Sequence, residues 1–513
     1  MNKFFSILFL ICYVSISGQT DSLYSLDDYL SILATEKNFD ENDDILINQI
    51  EELLAAPIDL NSEDISKLLT LPFLSTEQVY SILEYRKENK IFFSTHELRN
   101  IEGLNSSTIR LILPLITVRK VQTVPSESKG KSVSNNFKLL MRNRIQQKGN
   151  VLRENLFSPN NKLYNRLKII FNNYQIGITT EKDFNENSFF DYHSFYLQTE
   201  NILADKIILG DFLVYFGNGL ALWSPYRIYK PAVNVTNAVK SKNYISPYQS
   251  TDENKFYRGI AIQHNFDFIN FTAFYSQNYI DGKIDSLSNE FHFILDGQHS
   301  TKSRILQKDK IKNVSFGTLA GFNLLKNFSI NFLFYDNLFQ FSNSHLKEEI
   351  FSTAYRLKLS QLLIFGENAF LNGNLKSINN LNFTITKNLR LIFSYRNYSK
   401  NAKSFFGNGF GESSKHVGEI GFYSGIDFTY SFAEISFYFD QYKIIDEQKF
   451  DFELVGKEFM FNFTKPFMNK LRFSFYTIFE IKETFMSRLD SSKNEQSSRF
   501  RFELTYLISK NLS

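Results

Sequence analysis

From residue 137 to residue 513, bulky apolar side chains alternate with polar ones over many short stretches. In LRFSFYTIFEI, which begins at Leu471, the odd-numbered positions carry mostly aromatic and aliphatic side chains. Successive side chains of a β-strand point to opposite faces, so this pattern predicts strands with one apolar face. The chain has 55 Phe and 27 Tyr but a mean hydropathy of only −0.25, so the large side chains must be dispersed. The same alternation recurs in AEISFYFD (433–440), FSINFLFYD (328–336), residues 381–396 and RFRFELTYLI (499–508).

Alternation also fits a soluble β-protein, which is the alternative to a membrane barrel. Three features favour a transmembrane barrel: a secretory leader, strands of about 9–11 residues, and short turns that alternate with long polar loops. We therefore predict a mainly β fold, an outer-membrane β-barrel of about 14–18 strands over residues 137–513. The final strand, near residues 500–508, is expected to pair with the first, near residues 137–146, and to close the wall.

The turns and loops of this barrel also have sequence signals. LKNFS (325–329), TKNLR (386–390) and SKNLS (509–513) each place Lys-Asn between apolar residues. Since Asn readily adopts positive φ, these segments predict tight hairpins. The polar stretches 281–290 and 399–416 are expected to form long loops on the outer side.

The N-terminus predicts where the chain is delivered. Lys3 precedes an apolar run from Phe4 to Ile16, and Gly18 ends a stretch of small residues, so residues 1–18 match a secretory signal. The run is too short to span a membrane, and the single cysteine, Cys12, lies within it. We expect the mature protein in the outer membrane, with its N-terminal domain in the periplasm.

A helical region precedes the strands. Asn61, Ser75, Ser94 and Asn105 each lie at the start of a short helical pattern, and the pairs Ser75–Gln78 and Ser94–Glu97 have capping-box spacing. These signals predict four short helices in a helical module, residues 58–118. An acidic helical segment is expected before it, over residues 19–57.

The two hairpins of this module, LTLPFLSTEQV and LRNIEGLNSSTI, occupy equivalent places in a tandem repeat. The module resembles a tandem helix-hairpin-helix domain of the competence DNA-receptor type. This resemblance implies DNA contacts at the hairpins, for which the matching positions are Phe73, Leu74, Ser75, Gly103, Leu104, Asn105 and Ser107.

The module departs from that family in two respects. The family's hairpins carry glycines that let a phosphate approach the backbone, but only Gly103 remains here. Residues 59–118 have eight acidic and six basic side chains, so the positive charge that attracts DNA is also missing. Nucleic acid is therefore a disfavoured partner, and a protein-docking unit is the preferred interpretation.

Charge is divided unevenly along the chain. Residues 19–118 have 18 acidic and 7 basic side chains, a net charge of −11, whereas residues 119–513 carry +13. The polar, serine-rich segment 119–136 predicts a linker between them. Opposite charges on a short linker predict that the module docks at the barrel mouth. The candidate partners are Glu77, Glu84, Glu88, Glu97 and Glu102 on the module and Arg390, Arg396, Arg472, Arg499 and Arg501 on the barrel.

The segment from Leu209 to Val235 loses the strand alternation after Gly217 and contains the single Trp223. It resembles a segment in a group of uncharacterised outer-membrane barrel proteins, and the resemblance implies a loop that folds into the barrel.

No enzyme motif is recognisable. The histidines have no metal-ligand spacing, no glycine-rich phosphate loop precedes a helix, and no serine lies in a nucleophile-elbow pattern. We expect no catalytic, cofactor-binding or metal-binding residues. The predicted function is that of a non-enzymatic channel, scaffold or partner-binding barrel, with membrane lipid and an envelope protein as partners. A DNA-binding or DNA-uptake protein is the first alternative, and an outer-membrane enzyme is the second.

Overall fold

The computed structural model describes residues 29, 44–61, 68–69, 71, 73–118, 137–148, 160–186, 188, 190–223, 230–231, 234–285, 290–412, 418–430, 433–446, 452–467, 471–486 and 491–506. The expected signal (1–18), linker (119–136) and final turn (509–513) lie outside these residues.

The first part of the described chain is a small helical unit. Both predicted capping boxes are present: Ser75 accepts from the N–H of Gln78, and Ser94 is paired in the same way with Glu97. The side chain of Asn105 caps the last helix by accepting from the N–H of Thr108. The elements are α1 (Asp44–Ala55), β1 (Ile58–Asp59), α2 (Thr76–Asn89), a 3-10 helix (Thr95–Asn100), α3 (Ser106–Ile112), a 3-10 helix (Leu113–Leu115) and β2 (Ile116–Thr117).

The helical unit has its own hydrophobic core. Ile50 and Leu53 of α1 pack in one cluster with Val79, Ile82 and Ile112, so both predicted N-terminal segments belong to one unit. The pairing of β1 with β2 joins the start of the predicted module to its end. Among the described residues, none of the helices is long and apolar enough to cross a membrane.

The rest of the described chain forms a closed antiparallel barrel. Its strands are β3 (Phe137–Gln147), β4 (Asn161–Phe171), β5 (Tyr174–Lys182), β6 (Tyr192–Glu200), β7 (Lys206–Tyr215), β8 (Tyr244–Pro247), β9 (Tyr257–Phe266), β10 (Ile269–Ile280), β13 (Ile311–Leu325), β14 (Phe328–Phe341), β15 (Ser344–Leu359), β16 (Leu362–Leu371), β17 (Asn374–Thr386), β18 (Leu389–Tyr398), β19 (Glu419–Tyr430), β20 (Ala433–Asp446), β21 (Phe452–Phe467), β22 (Leu471–Met486) and β23 (Ser491–Tyr506). Between them lie a 3-10 helix (Val235–Asn237), the hairpin of β11 (Gly282–Ile284) and β12 (Phe291–Phe293), and α4 (Lys302–Gln307).

The ring closes as predicted, because the last strand, β23, is hydrogen-bonded to the first, β3. It contains 19 strands within the described part of the chain, slightly more than the predicted 14–18. One of them, β8, has only four residues and pairs with the end of β7. Since β7 also pairs directly with β9, the ring closes through 18 strands when β8 is set aside, which lies within the predicted range.

The wall has the two faces that the alternation predicts. On β18, Ile392, Ser394 and Arg396 are buried, whereas Phe393 and Tyr395 between them are exposed. The same outward exposure of large apolar side chains holds around the ring, for example at Phe316, Phe334, Phe351, Phe370, Phe422, Phe459, Phe479 and Phe502. The outside of the barrel is therefore apolar and aromatic, and the inside combines polar side chains and tyrosines with a cluster of buried apolar residues.

Two expectations about the connections need correction. The Lys-Asn turns lie where predicted, but neither Asn327 nor Asn388 is among the positive-φ residues of the described chain. The carbonyl of Asn327 accepts from the N–H of Lys358 on β15, and the carbonyl of Asn388 accepts from the N–H of Thr429 on β19. The loop after β18, expected outside over 399–416, folds inward in its described part, because Phe405, Phe406 and Phe410 are buried in the barrel core.

Candidate functional site in the barrel interior

The helical unit lies within the strand ring, at the end of the barrel that has the short turns. Glu77 of α2 accepts from Nε and Nη2 of Arg356 on β15, at 2.8 and 2.5 Å. Arg110 of α3 lies 2.6 Å from Glu434 on β20. Glu51 of α1 forms an ion pair with Arg142 on β3. Since these strands lie in different parts of the ring, the unit is held from several sides.

A third carboxylate of the helical unit faces two cations of the wall. Glu52 of α1 is paired with Arg166, at 2.6 Å, and with Lys168, both on β4. Burial tends to raise the pKa of the Glu52 carboxyl, but Lys168 and Arg166 outweigh burial and lower this pKa to about 2. The carboxylate is therefore ionised throughout the neutral range, and its charge contributes to docking.

The second hairpin of the unit faces the barrel interior. The carbonyl of Gly103 accepts from Nε2 of Gln78, at 2.9 Å, and from Nη1 of Arg390 on β18, at 3.1 Å. Nδ2 of Asn105 donates to Oδ1 of Asn234 at 2.5 Å. Leu104 is buried in the core of the unit. Hairpin residues expected from the resemblance to meet DNA thus contact the inside of this barrel.

The first hairpin packs within the helical unit, and it is connected to the barrel interior through the neighbouring Gln78. Leu74 and Ser75 are buried, and Phe73 stacks on Tyr29 with ring centroids 5.3 Å apart. Gln78, the capping partner of Ser75, accepts from Nδ2 of Asn237 at 2.9 Å. The backbone of the remaining candidate, Ser107, lies in the first turn of α3.

The chain after β7 folds into the barrel, as predicted, and its backbone is held by a carboxylate of the wall. Glu367 of β16 is buried and accepts from the N–H groups of Asn218, Leu220 and Ala221 at 2.6, 3.0 and 3.2 Å. The backbone turns there at Gly217 and Gly219, whose φ angles are +52° and +85°. Such positive φ angles suit glycine, which has no Cβ to clash with the backbone. We call residues 216–223, 230–231 and 234–243 the inward segment.

A second wall carboxylate holds the later part of the inward segment. Asp427 of β19 accepts from the N–H groups of Val235 and Thr236 at 3.1 and 3.0 Å, where a 3-10 helix begins. The residue before this helix, Asn234, is the one that contacts Asn105 of the helical unit. The inward segment therefore connects the wall to the helical unit.

Aromatic packing fills the interior around this segment. Trp223 lies at right angles to Tyr215, with ring centroids 5.6 Å apart, and Lys242 lies 5.4 Å from the Trp223 ring. The inward-folded loop after β18 adds Phe406, which stacks on Tyr257 at 4.3 Å. The carbonyl of Phe406 also accepts from the N–H of Trp223 at 2.9 Å. The inward segment and the loop after β18 thus pack against each other on the inside of the wall.

A buried ionic network joins the inward segment to strands β18 to β21. Arg396 pairs with Glu419 and with Asp440, where Nη1 and Oδ1 are 2.9 Å apart. Lys230 of the inward segment lies 2.6 Å from Asp440 and 3.2 Å from Glu458. Arg396 was expected to face the helical module, but its fully buried guanidinium pairs with these wall carboxylates instead.

The inner side of the wall is more exposed at β3 and β23. Arg144 of β3 is paired in register with Tyr164, and Arg499 of β23 with Ile478, and both of these neighbours are buried inside the barrel. Arg144 and Arg499 therefore point inward, yet both are exposed. Water reaches the interior along β23 and β3, where the wall presents arginine side chains.

Of the residues predicted to dock, Glu77 and Arg390 lie at the interface. Glu84 approaches Lys358 at 3.9 Å, Glu97 caps its own helix, and Glu88 and Glu102 are exposed. The main wall partners, Arg142, Arg166, Lys168 and Arg356, were not singled out from the sequence. No local signal marks them, because each lies on an ordinary alternating strand.

No family model matches the sequence, and no curated protein matches it. Among solved structures, OprD from Pseudomonas aeruginosa has a TM-score of 0.35 at 9% identity, over 72% of this chain and 91% of that chain. OccK11 (OpdR) from the same organism has a TM-score of 0.37 at 7% identity, over 72% and 93%. Wzi, an Escherichia coli outer-membrane protein described as a carbohydrate-binding β-barrel involved in group 1 capsule assembly, has a TM-score of 0.36 at 8% identity, over 88% and 100%. The likeness concerns the β-barrel architecture alone.

Proposed function

We propose that the protein is a non-enzymatic outer-membrane channel that its own helical unit closes. The observation that carries this proposal is the set of ion pairs that holds the unit inside the ring, of which Glu77–Arg356 has the most complete geometry. In transmembrane barrels the short turns face the periplasm, so the helical unit is a periplasmic plug. The apolar outer face, with residues such as Phe393 and Phe502, contacts membrane lipid.

The nature of the contacts supports a plug that can be released. Glu77 and Arg356 are both partly exposed, and exposed ion pairs contribute little free energy each. Several such pairs hold the unit in place, but an envelope protein that binds its acidic face could withdraw it. The exposed Arg144 and Arg499 then line the route for solutes.

The experiment is to lock the plug and measure conductance. Glu77→Cys and Arg356→Cys can be joined by a short bifunctional maleimide in the full-length protein, reconstituted in planar bilayers. We expect openings in the untreated double variant and a sharp fall in open probability after cross-linking. A double variant of Glu88→Cys and Arg356→Cys is the matched control, since Glu88 is exposed on the same helix. Equal conductance before and after the Glu77 cross-link would contradict a gating role.

The resemblance to helix-hairpin-helix domains supports a second, finer proposal, that the unit is such a domain recruited as a plug. Gly103 and Asn105 of its second hairpin are engaged with Arg390 and Asn234. DNA could reach that hairpin only after the unit leaves the barrel. Salt-dependent binding of duplex DNA by the purified protein would favour the DNA-uptake alternative over a plug.

A further inference from the structure

A separate group of polar side chains lies at the long-loop end of the barrel, far along the chain from the helical unit. Three connections contribute: residues 183–186 and 190–191 between β5 and β6, residues 248–256 between β8 and β9, and residues 281–285 and 290–310 between β10 and β13. They bring together Glu186, Asp191, Glu253, Asp281 and His299. His299 is buried at the centre of this group.

One ring nitrogen of His299 is surrounded by carboxylates. Nδ1 is hydrogen-bonded to Oδ2 of Asp191 and lies 3.7 Å from Oε2 of Glu253 and 3.9 Å from Oε1 of Glu186. The candidate ligand atoms of Glu186, Asp191 and His299 all lie within 4.8 Å of one another. A single proton on Nδ1 can serve only one of these three acceptors well, whereas a cation can be shared by several.

The other ring nitrogen is held by a fourth carboxylate. Nε2 lies 2.8 Å from Oδ2 of Asp281, and Oδ1 of Asp281 accepts from the N–H of Asp309 at 2.8 Å. This contact fixes the ring and holds the proton on Nε2, so a metal ion that replaces the proton on Nδ1 would meet an imidazole that is already oriented. A carboxylate behind one imidazole nitrogen is the usual support for a histidine that binds a metal ion through the other.

The charge of the group also favours a cation. Four carboxylates meet here, and the nearby Lys308 lies 2.8 Å from Oδ2 of Asp191. Nζ of Lys308 also donates to the main-chain carbonyl of Asp191, at 2.6 Å, so the lysine keeps a partner if the carboxylate turns towards an ion.

We propose that Nδ1 of His299 and the carboxylates of Asp191 and Glu186 bind a divalent first-row metal ion of the Zn²⁺ type, with Asp281 as the positioning residue. Zinc sites that keep one position for water have three protein ligands drawn from imidazole, carboxylate and thiolate groups. An imidazole ligand favours Zn²⁺ over Ca²⁺, which prefers oxygen donors alone. The ion would join two external loops over the mouth of the barrel.

The test is equilibrium dialysis of the full-length protein in detergent against ZnCl₂, after removal of metals with a chelator, with the bound metal measured by mass spectrometry. The variants are His299→Gln, Asp191→Asn and Asp281→Asn. The matched control is His264→Gln, because His264 also lies near an aspartate, Asp205 at 3.4 Å, but on an exposed site. Heat-modifiable migration on a gel verifies that each variant retains a folded barrel.

We expect the wild type and His264→Gln to bind one Zn²⁺ per chain, with no competition from excess Ca²⁺. His299→Gln and Asp191→Asn should lose this ion, and Asp281→Asn should weaken binding by about tenfold or more, as for other supporting carboxylates. Two results would overturn the proposal: a wild-type protein that binds no Zn²⁺, or a folded His299→Gln variant that binds it as well as the wild type.

Discussion

Arg356 on the barrel wall holds Glu77 of the helical unit by two nitrogen atoms, Nε and Nη2, at 2.8 and 2.5 Å from the carboxylate. The guanidinium also lies 5.0 Å from the ring centroid of Tyr80, one helical turn along α2. A planar guanidinium that grips a carboxylate and covers a ring fixes the orientation of the helix as well as its position. This pair is therefore the most sensitive point at which to test docking.

Reversing either charge of this pair should loosen the helical unit. Glu77→Arg or Arg356→Glu is expected to weaken docking by about 1–3 kcal/mol, because like charges replace a two-point, charge-assisted contact. The measurement is the rate at which trypsin cleaves the helical unit in the intact barrel. The exchanged pair, Glu77→Arg with Arg356→Glu, should restore part of the protection, and Glu88→Arg should leave the rate unchanged. Failure of the exchange to restore any protection would argue against a direct role for the pair.

Docking should weaken in acid because of Glu52. Its pKa is lowered to about 2 in the docked state, from an ordinary value of 4.5. A carboxyl with a depressed pKa contributes fully above its ordinary value, and the contribution is lost as pH falls towards the depressed one. The loss therefore occurs between about pH 4.5 and pH 2 and amounts to at most about 3 kcal/mol, which partial exposure of the carboxylate reduces.

The distance between spin labels on α1 and on the barrel rim would follow this transition. In Glu52→Gln the contribution is absent at every pH, so the acid-dependent release should become shallower. An unchanged pH profile in that variant would assign the effect to other groups.

The buried network should be intolerant of losing its central cation. Arg396→Met leaves Glu419 and Asp440 buried without their guanidinium, which is expected to cost about 3–5 kcal/mol. The temperature at which the barrel loses its compact gel migration should fall accordingly. Arg499→Met is the control: its side chain is exposed, so the expected change lies within about 0.5 kcal/mol. If both substitutions lowered this temperature equally, the burial of Arg396 would not explain its contribution to stability.

The exposed arginines predict the ion selectivity of the proposed channel. Positive side chains along a water-filled wall attract anions and repel cations. Arg144→Glu with Arg499→Glu should therefore shift the reversal potential in a salt gradient towards cation selectivity. The same two changes to Gln should give an intermediate value. A reversal potential that does not respond to either pair would exclude this wall as the solute route.

The wall of the barrel could be predicted from the sequence because its information is local. Alternation from Leu471 to Ile481 shows which face of that strand is apolar, and each strand can be interpreted without the others. The capping boxes at Ser75 and Ser94 are local in the same sense, since three residues decide them. Even the inward segment was visible, because Gly217 and Gly219 interrupt the strand pattern.

The interior contacts could not be predicted in this way. Glu367 and the Asn218 amide that it holds are 149 residues apart, and Glu77 is 279 residues from Arg356. The His299 group was missed for the same reason, since His299 and Asp191 are 108 residues apart and lie in different loops. Only the ring geometry brings such residues together, and ring geometry is not encoded in any short stretch.

Closure of β23 on β3 also fixes an order of events during assembly. The seam between first and last strands joins segments about 350 residues apart, which makes it a pairing of very high contact order and a late step in folding. The inward segment is held by Glu367 and Asp427 of the wall, so the strands enclose it as the ring closes. The helical unit has its own core, which includes Ile50 and Ile82, so it can fold apart from the ring and dock through the open end after closure.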